Sequence, residues 1–189
     1  VTESGMPPRS LEKQPASLVR AALAGTRGPL VSRWGHIMLR RALSSRLAPP
    51  AGMNPVEFAA LRVALLNRMG EPVVARAIAQ SVDSAEYSPA LTDAAFDAYL
   101  ATSDIIGVCP VARLKRDMRK DAQWELARSI CAAFAGEANS AKRELDKALS
   151  RGIAPRIDVL LAQRVAGAAG DGRGAVTIEW DGVKELTPW

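Results

Sequence analysis

Large aromatic side chains are scarce in this sequence, at 5% of 189 residues. Alanine takes their place, in runs such as Arg20–Ala24 and Cys131–Ala135. Alanine has the highest helix propensity, and small side chains let helices approach closely, so the composition favours stacked helices over a β-sandwich. Cysteine and histidine are nearly absent. Cys109, Cys131 and the lone His36 cannot supply the four ligands of a structural zinc site, and no metal or cofactor is expected. No stretch approaches the roughly 18 consecutive apolar residues of a membrane-spanning helix. No secretory leader is visible, but the chain opens on Val1, so it reads as a mature or trimmed piece and the missing leader says nothing. Its end at Thr187-Pro188-Trp189 is abrupt, and the natural protein is expected to continue. There is no nucleophile elbow, P-loop, dinucleotide fingerprint or His-Glu-x-x-His, which argues against an enzyme.

What is present is ordinary for a globular protein: 48% hydrophobic and 24% charged residues. The length suits one sizeable domain or a short repeat array. The net charge of +5 and a pI near 9.6 suit an acidic partner. They fall below what a dedicated nucleic-acid binder concentrates on one face. The Ala- and Arg-rich usage points to a GC-rich bacterial genome.

Along the chain, residues 1–15 carry Gly5, Pro7, Pro8 and Pro15 and read as an extended lead-in. A short helix is expected over Ala16–Ala24, broken by Gly25–Pro29, with Pro29 opening a second helix over Leu30–Leu47. In that helix Arg33, His36, Arg40 and Ser44 form a polar stripe, and Leu30, Trp34, Ile37, Met38, Ala42 and Leu43 cover the rest. Asn54-Pro55 is a strong helix start, with Phe58, Leu61, Leu65 and Met69 on one apolar face and Gly70 as the stop. Pro72–Val82 follows, with Val74, Ala77, Ile78 and Val82 inward. Ser88-Pro89 opens a helix that buries Leu91, Ala95, Phe96 and Tyr99. Asp104 caps a shorter one that reaches Met118, with a kink or late start at Pro110. Asp121 opens a helix with Trp124, Ala127, Cys131 and Phe134 inward, ended by Gly136. Asn139 or Ser140 leads into a helix ending near Ser150, with Leu145 and Ala148 inward, and Ala154–Val165 forms the last helix. Gly167–Gly174 then reads as a flexible loop, Ala175–Trp180 as β-like, and Asp181-Gly182 as a hairpin turn before Val183–Trp189. The domain layout is thus a lead-in over 1–15, a helical domain over 16–167 and a glycine-rich, β-like or extended tail over 168–189. The fold class is all-α.

Two helix pairs share a pattern. Gly70 is followed by Ala75, Ala79 and Val82 at five, nine and twelve positions on, and Gly136 by Ala141, Leu145 and Ala148 at the same offsets. Over Asn54–Val82 and Asp121–Arg151 this resembles the tetratricopeptide repeat, in degenerate form. Trp124 lies one position from that family's tryptophan site, and the helices between keep neither the glycine nor the length. The resemblance implies an α-solenoid of antiparallel hairpins that binds protein or peptide in a concave surface. The chain also resembles alphaproteobacterial proteins of unestablished function, which adds no function here.

Cys109 and Cys131 lie symmetrically about the turn near Lys120. In an antiparallel hairpin they would stand level, as a disulfide closing a loop of about 22 residues and stabilising by roughly 3 kcal/mol. That would place the domain in the periplasm or another extracytoplasmic space. The alternative is two buried free thiols and a cytoplasmic protein.

Arg113, Lys115, Arg116, Arg119 and Lys120 form the densest basic cluster. It reads either as a solvated turn or as a docking patch for acidic protein, phosphate or anionic lipid. Arg33, His36 and Arg40 form a second basic stripe, and His36, with cations beside it and no orienting carboxylate, reads as a surface histidine and not a general base. Glu179 and Asp181 flank Trp180, and a turn explains Asp181 better than a sugar site does. The expected function is a non-catalytic scaffold or adaptor that binds another, acidic protein in the bacterial cell envelope. The alternatives are a superhelical accessory domain of a cell-wall enzyme and, third, a basic nucleic-acid binder, for which no exposed aromatics are interleaved with the charge.

Overall fold

The computed structural model describes residues 5–27, 30–169, 176–178, 180, 181 and 183. Among these residues the protein is all-helical, with nine α-helices, two 3-10 turns and no strand. The chain forms two compact units, Val1–Thr102 and Ser103–Trp189.

In the first unit, α1 (Ala16–Gly25) and α2 (Arg33–Ser44) precede α3 (Pro55–Arg68), α4 (Pro72–Gln80) and α5 (Pro89–Ala101). The expected starts at Asn54 and Ser88 are both used. Asn54 Oδ1 accepts from the N–H groups of Val56 and Glu57 at 2.8 and 3.2 Å, and Ser88 Oγ from that of Leu91 at 3.2 Å, each ahead of a proline in the first turn. α3 packs against α1, α4 and α5. It is buried nearly all round, Ala59, Ala60, Val63 and Leu66 joining the expected Phe58 and Leu65. α5 buries Leu91, Ala95, Phe96 and Tyr99 as the periodicity predicts. In α4 the inward pair is Ala75 and Ala79; Val74, Ile78 and Val82 are only half-buried and Ala77 is exposed.

Two expectations are corrected near the start. Where described, the lead-in is a series of turns, not extended chain: Pro7, Arg9 and Leu11 each accept from the N–H three residues on. Met6 N–H donates to Ser45 Oγ at 2.8 Å and Ala48 N–H to the Pro8 carbonyl at 2.9 Å. α2 begins at Arg33, because Ser32 caps it by accepting from Gly35 N–H at 3.2 Å; Gly28 and Pro29 lie outside the described residues. Of its apolar residues only Leu43 is buried. Trp34 and Met38 are 75% and 70% exposed.

Side chains of α3 finish both preceding helices. Arg62, 7% exposed, donates to the carbonyls of Leu43 and Ser45 at the end of α2, its Nη2 reaching the Ser45 oxygen at 2.6 Å. Its guanidinium stands 5.2 Å from the Phe58 ring centroid. Burial lowers its pKa to about 10, so it remains a cation at neutral pH, set against the negative end of the α2 dipole. Arg68 donates to Leu23 and Thr26 carbonyls at 2.7 and 3.1 Å at the end of α1. Arg20 of α1 pairs in two-pronged fashion with Glu57 at 2.5 and 3.0 Å. The hydrogen bond from Arg20 holds the Glu57 carboxyl below its usual range, against a small opposing effect of burial.

The second unit holds α6 (Cys109–Leu114), α7 (Ala122–Phe134), α8 (Ala138–Arg151) and α9 (Arg156–Ala169). α7, α8 and α9 pack on one another around Leu126, Ile130, Leu145, Val159 and Ala162. Gly152, at φ 62°, ends α8. Phe134, expected inward, is 41% exposed. Arg164 Nη1 donates to the Val176 carbonyl at 3.2 Å. Of the expected β-like tail, residues 176–178, 180, 181 and 183 form no strand, and Val183 N–H donates to the Trp180 carbonyl at 3.3 Å across a turn at Asp181. The Gly170–Gly174 loop, Ala175, Glu179, Gly182 and 184–189 lie outside the described residues.

The two units carry matched positions at one common offset. Gly70 and Gly136 have φ of 76° and 87°, and each is followed by a glutamate whose N–H bonds back to Leu66 or Ala132 at 2.9 Å. Phe58 and Trp124, Leu65 and Cys131, Ala75 and Ala141, Ala79 and Leu145, and Leu91 and Ile157 occupy equivalent buried places. Pro89 and Pro155 lie nineteen positions beyond the glycines, and buried Thr92 matches buried Asp158.

Two outcomes are expected. Arg62→Met leaves the Leu43 and Ser45 carbonyls without their donor and lowers unfolding free energy in urea by about 3 kcal/mol; Arg62→Lys, lacking the fork, recovers only a minor part. Glu57 is depressed in the folded state, so its contribution is present above the unfolded carboxyl pKa of about 4.3 and lost as pH falls through the lower folded value. Glu57→Gln is therefore less stable than wild type at neutral pH, and urea titrations of the two converge once the pH falls below the depressed folded value of Glu57.

Candidate binding groove

Asp104 Oδ1 accepts from Gly107 N–H at 3.0 Å and caps the 3-10 turn Ile105–Val108, so α6 starts late, with Pro110 in its first turn. It ends at Leu114, four residues short of the expected Met118, because the chain turns at Lys115–Asp121. That turn is built around buried Trp124, whose Nε1 donates to the Arg116 carbonyl at 3.2 Å. Asp121 Oδ1 caps α7 by accepting from Trp124 N–H at 3.1 Å, and its Oδ2 accepts from Arg119 Nε at 2.7 Å. Burial pushes the Asp121 pKa up, but the hydrogen bonds from Arg119 and Trp124 outweigh it, and the carboxyl sits below its usual value. Cys109 and Cys131 stand at disulfide distance, Sγ–Sγ 2.00 Å and Cα–Cα 5.3 Å, and tie the start of α6 to the last turn of α7.

The five cations of the basic cluster do not all line one groove. Arg119 is turned to Asp121, its side chain 17% exposed. Arg113 and Arg116 instead line a groove of about 650 Å³ formed by α6, α7 and α8, which Lys115 and Lys120 do not reach. Arg128, Lys147 and Arg151 join them, with Glu125, Glu137 and Glu144. Arg113 Nη2 stands 3.5 Å from Glu137 Oε1, and Lys147 Nζ 3.8 Å from Glu144 Oε2. Small residues, Ala112, Ala132, Ala141 and Ala148, line the same groove. Sequence reasoning missed Arg128, Lys147 and Arg151. The signal for the last two was available: Glu144, Lys147 and Arg151 recur at helical spacing beside the buried stripe Ala141, Leu145 and Ala148.

The second stripe is corrected. His36 does have an orienting carboxylate: its Nε2 lies 3.0 Å from Glu71 Oε1, while Arg40 Nε donates to Glu71 Oε2 at 2.9 Å. Arg33 is exposed. Glu71 follows the Gly70 turn and is far from α2 in sequence, so no local pattern announces it. Among the described residues no group of three or more His, Cys, Asp or Glu could hold a metal ion, and no helix is long and apolar enough to cross a membrane.

The Cys109–Cys131 link spans a sequence separation of 22. Reduction, or Cys109→Ser with Cys131→Ser, is expected to lower the stability of the second unit by roughly 3 kcal/mol, read as an earlier urea midpoint at unchanged helical circular dichroism. Comparison with protein-family models, with curated proteins and with solved structures finds no match to this chain.

Proposed function

We propose that this chain is a non-catalytic helical-repeat adaptor whose α6–α7–α8 groove holds an acidic segment of another protein. The observation that carries this reading is the gathering of five cations, three carboxylates and four alanines around one groove of α6, α7 and α8. Small side chains there leave room for a partner's backbone, and the charge selects and steers an acidic one. The matched positions of the two units support a tetratricopeptide-like ancestry, with one hairpin per unit built on Gly70 or Gly136. The cysteine pair at disulfide distance supports an oxidising setting such as the periplasm.

The test is fluorescence anisotropy of the full chain with a labelled glutamate-rich peptide of about 12 residues, long enough to cross the groove if extended. Binding is expected at low ionic strength, weakening steeply as salt shortens the screening length. Arg128→Glu and Arg151→Glu should each weaken it by about tenfold, or ~1.4 kcal/mol. Equal binding of an uncharged peptide, or indifference to both substitutions, would overturn the reading. Tighter binding of random-sequence DNA would replace it with nucleic-acid recognition.

A further inference from the structure

A second surface, on the first unit, has a different chemistry. From Lys13 to Val56 the chain contains no aspartate or glutamate, but it carries Lys13, Arg20, Arg27, Arg33, Arg40, Arg41 and Arg46. Arg20 and Arg40 are engaged by Glu57 and Glu71. Arg27, Arg33, Arg41 and Arg46 are exposed. In the middle of this cationic stretch stands α2, whose inward side is occupied by Leu43 and by the contacts of His36 and Arg40 with Glu71. Trp34 and Met38, one turn apart on another face, point into solvent, and Val31 just ahead of the helix is 99% exposed. Arg41 continues the Trp34–Met38 stripe by one further turn. Ala42, one turn on from Met38, lines an apolar groove of about 320 Å³ together with Leu39, Leu43, Leu47, Phe58 and Leu18. Leu18 itself is 56% exposed.

We infer that α2 is an interfacial helix that docks the first unit on an anionic lipid bilayer. Trp34, Met38 and Val31 enter the boundary between headgroups and acyl chains, where an indole is at home. Arg33 and Arg41, with Arg27 and Arg46 nearby, meet lipid phosphates. An acidic peptide would satisfy the arginines but leave an exposed tryptophan and methionine wet. An uncharged apolar partner would leave the cations without counter-charge. A bilayer rich in anionic lipid supplies both in one plane, as the combination of basic and apolar side chains on one short helix requires. The site is separate from the acidic-segment groove and does not rest on it.

The test is co-flotation of the full chain with vesicles of phosphatidylcholine alone, or of phosphatidylcholine with phosphatidylglycerol. Binding is expected only to the anionic vesicles. Each basic residue near such a surface contributes about fivefold in partitioning, so Arg33→Glu with Arg41→Glu should reduce it by about 25-fold or more. Trp34→Ser with Met38→Ser should abolish it, with helical circular dichroism unchanged because both side chains are exposed. Brominated anionic lipid should quench wild-type tryptophan fluorescence more than that of Trp34→Phe. Absence of flotation, equal flotation with neutral vesicles, or flotation that survives the α2 substitutions and is lost in Arg116→Glu with Arg151→Glu would overturn the inference. So would a stable dimer in solution that Trp34→Ser with Met38→Ser dissociates, because a second copy would then cover the face.

Discussion

A single backbone constraint organises each unit: a glycine with positive φ that folds one helix back on the last. At Gly70 and Gly136 a side chain would meet open space, so the requirement is purely for the left-handed conformation that residues with a Cβ disfavour by about 1–2 kcal/mol. The turn that follows does two things. It brings Ala75 or Ala141 against the preceding helix, and it presents a glutamate sideways. Glu71 takes up His36 and Arg40, and Glu137 takes up Arg113. In both units the same glycine-glutamate corner therefore recruits a cation from the helix before the hairpin, α2 or α6.

Much of this was legible in the sequence where it depended on neighbours a few residues apart. Asn54-Pro55, Ser88-Pro89 and Asp121 announce helices because capping is a local hydrogen bond, and Gly70 and Gly136 announce stops because few other residues tolerate their φ. Cys109 and Cys131 were legible as a pair because their symmetry about a turn is arithmetic. The remainder depends on distant chain. Which side of α2 faces inward is set by Glu71 and Arg62, so the local pattern that groups Trp34 and Met38 with Leu43 does not separate the exposed pair from the buried leucine. Phe134 shares the α7 stripe with Trp124, yet stands at the helix end where the core has run out. The groove was half legible: Arg113 and Arg116 were named, but Arg128, Lys147 and Arg151 reach it from two other helices, and Arg119 was spent on Asp121.

The two units differ in what they expose. The second surrounds small residues with charge, a surface suited to a polar chain that must be oriented. The first keeps a stretch without carboxylates in which Val31, Trp34 and Met38 face outward.

Arg62 has one more consequence. Apolar packing opposes rotation of a helix about its long axis through shape alone, and α2 buries only Leu43 among its apolar residues. α2 is fastened instead by directional bonds: Arg62 grips its terminal carbonyls from below, and Glu71 holds two of its side chains part-way along. Bonds at two heights remove the freedom to roll. The strip that α2 shows to its surroundings is thereby set from outside the helix, by a buried arginine of α3 and a half-buried glutamate at the start of α4.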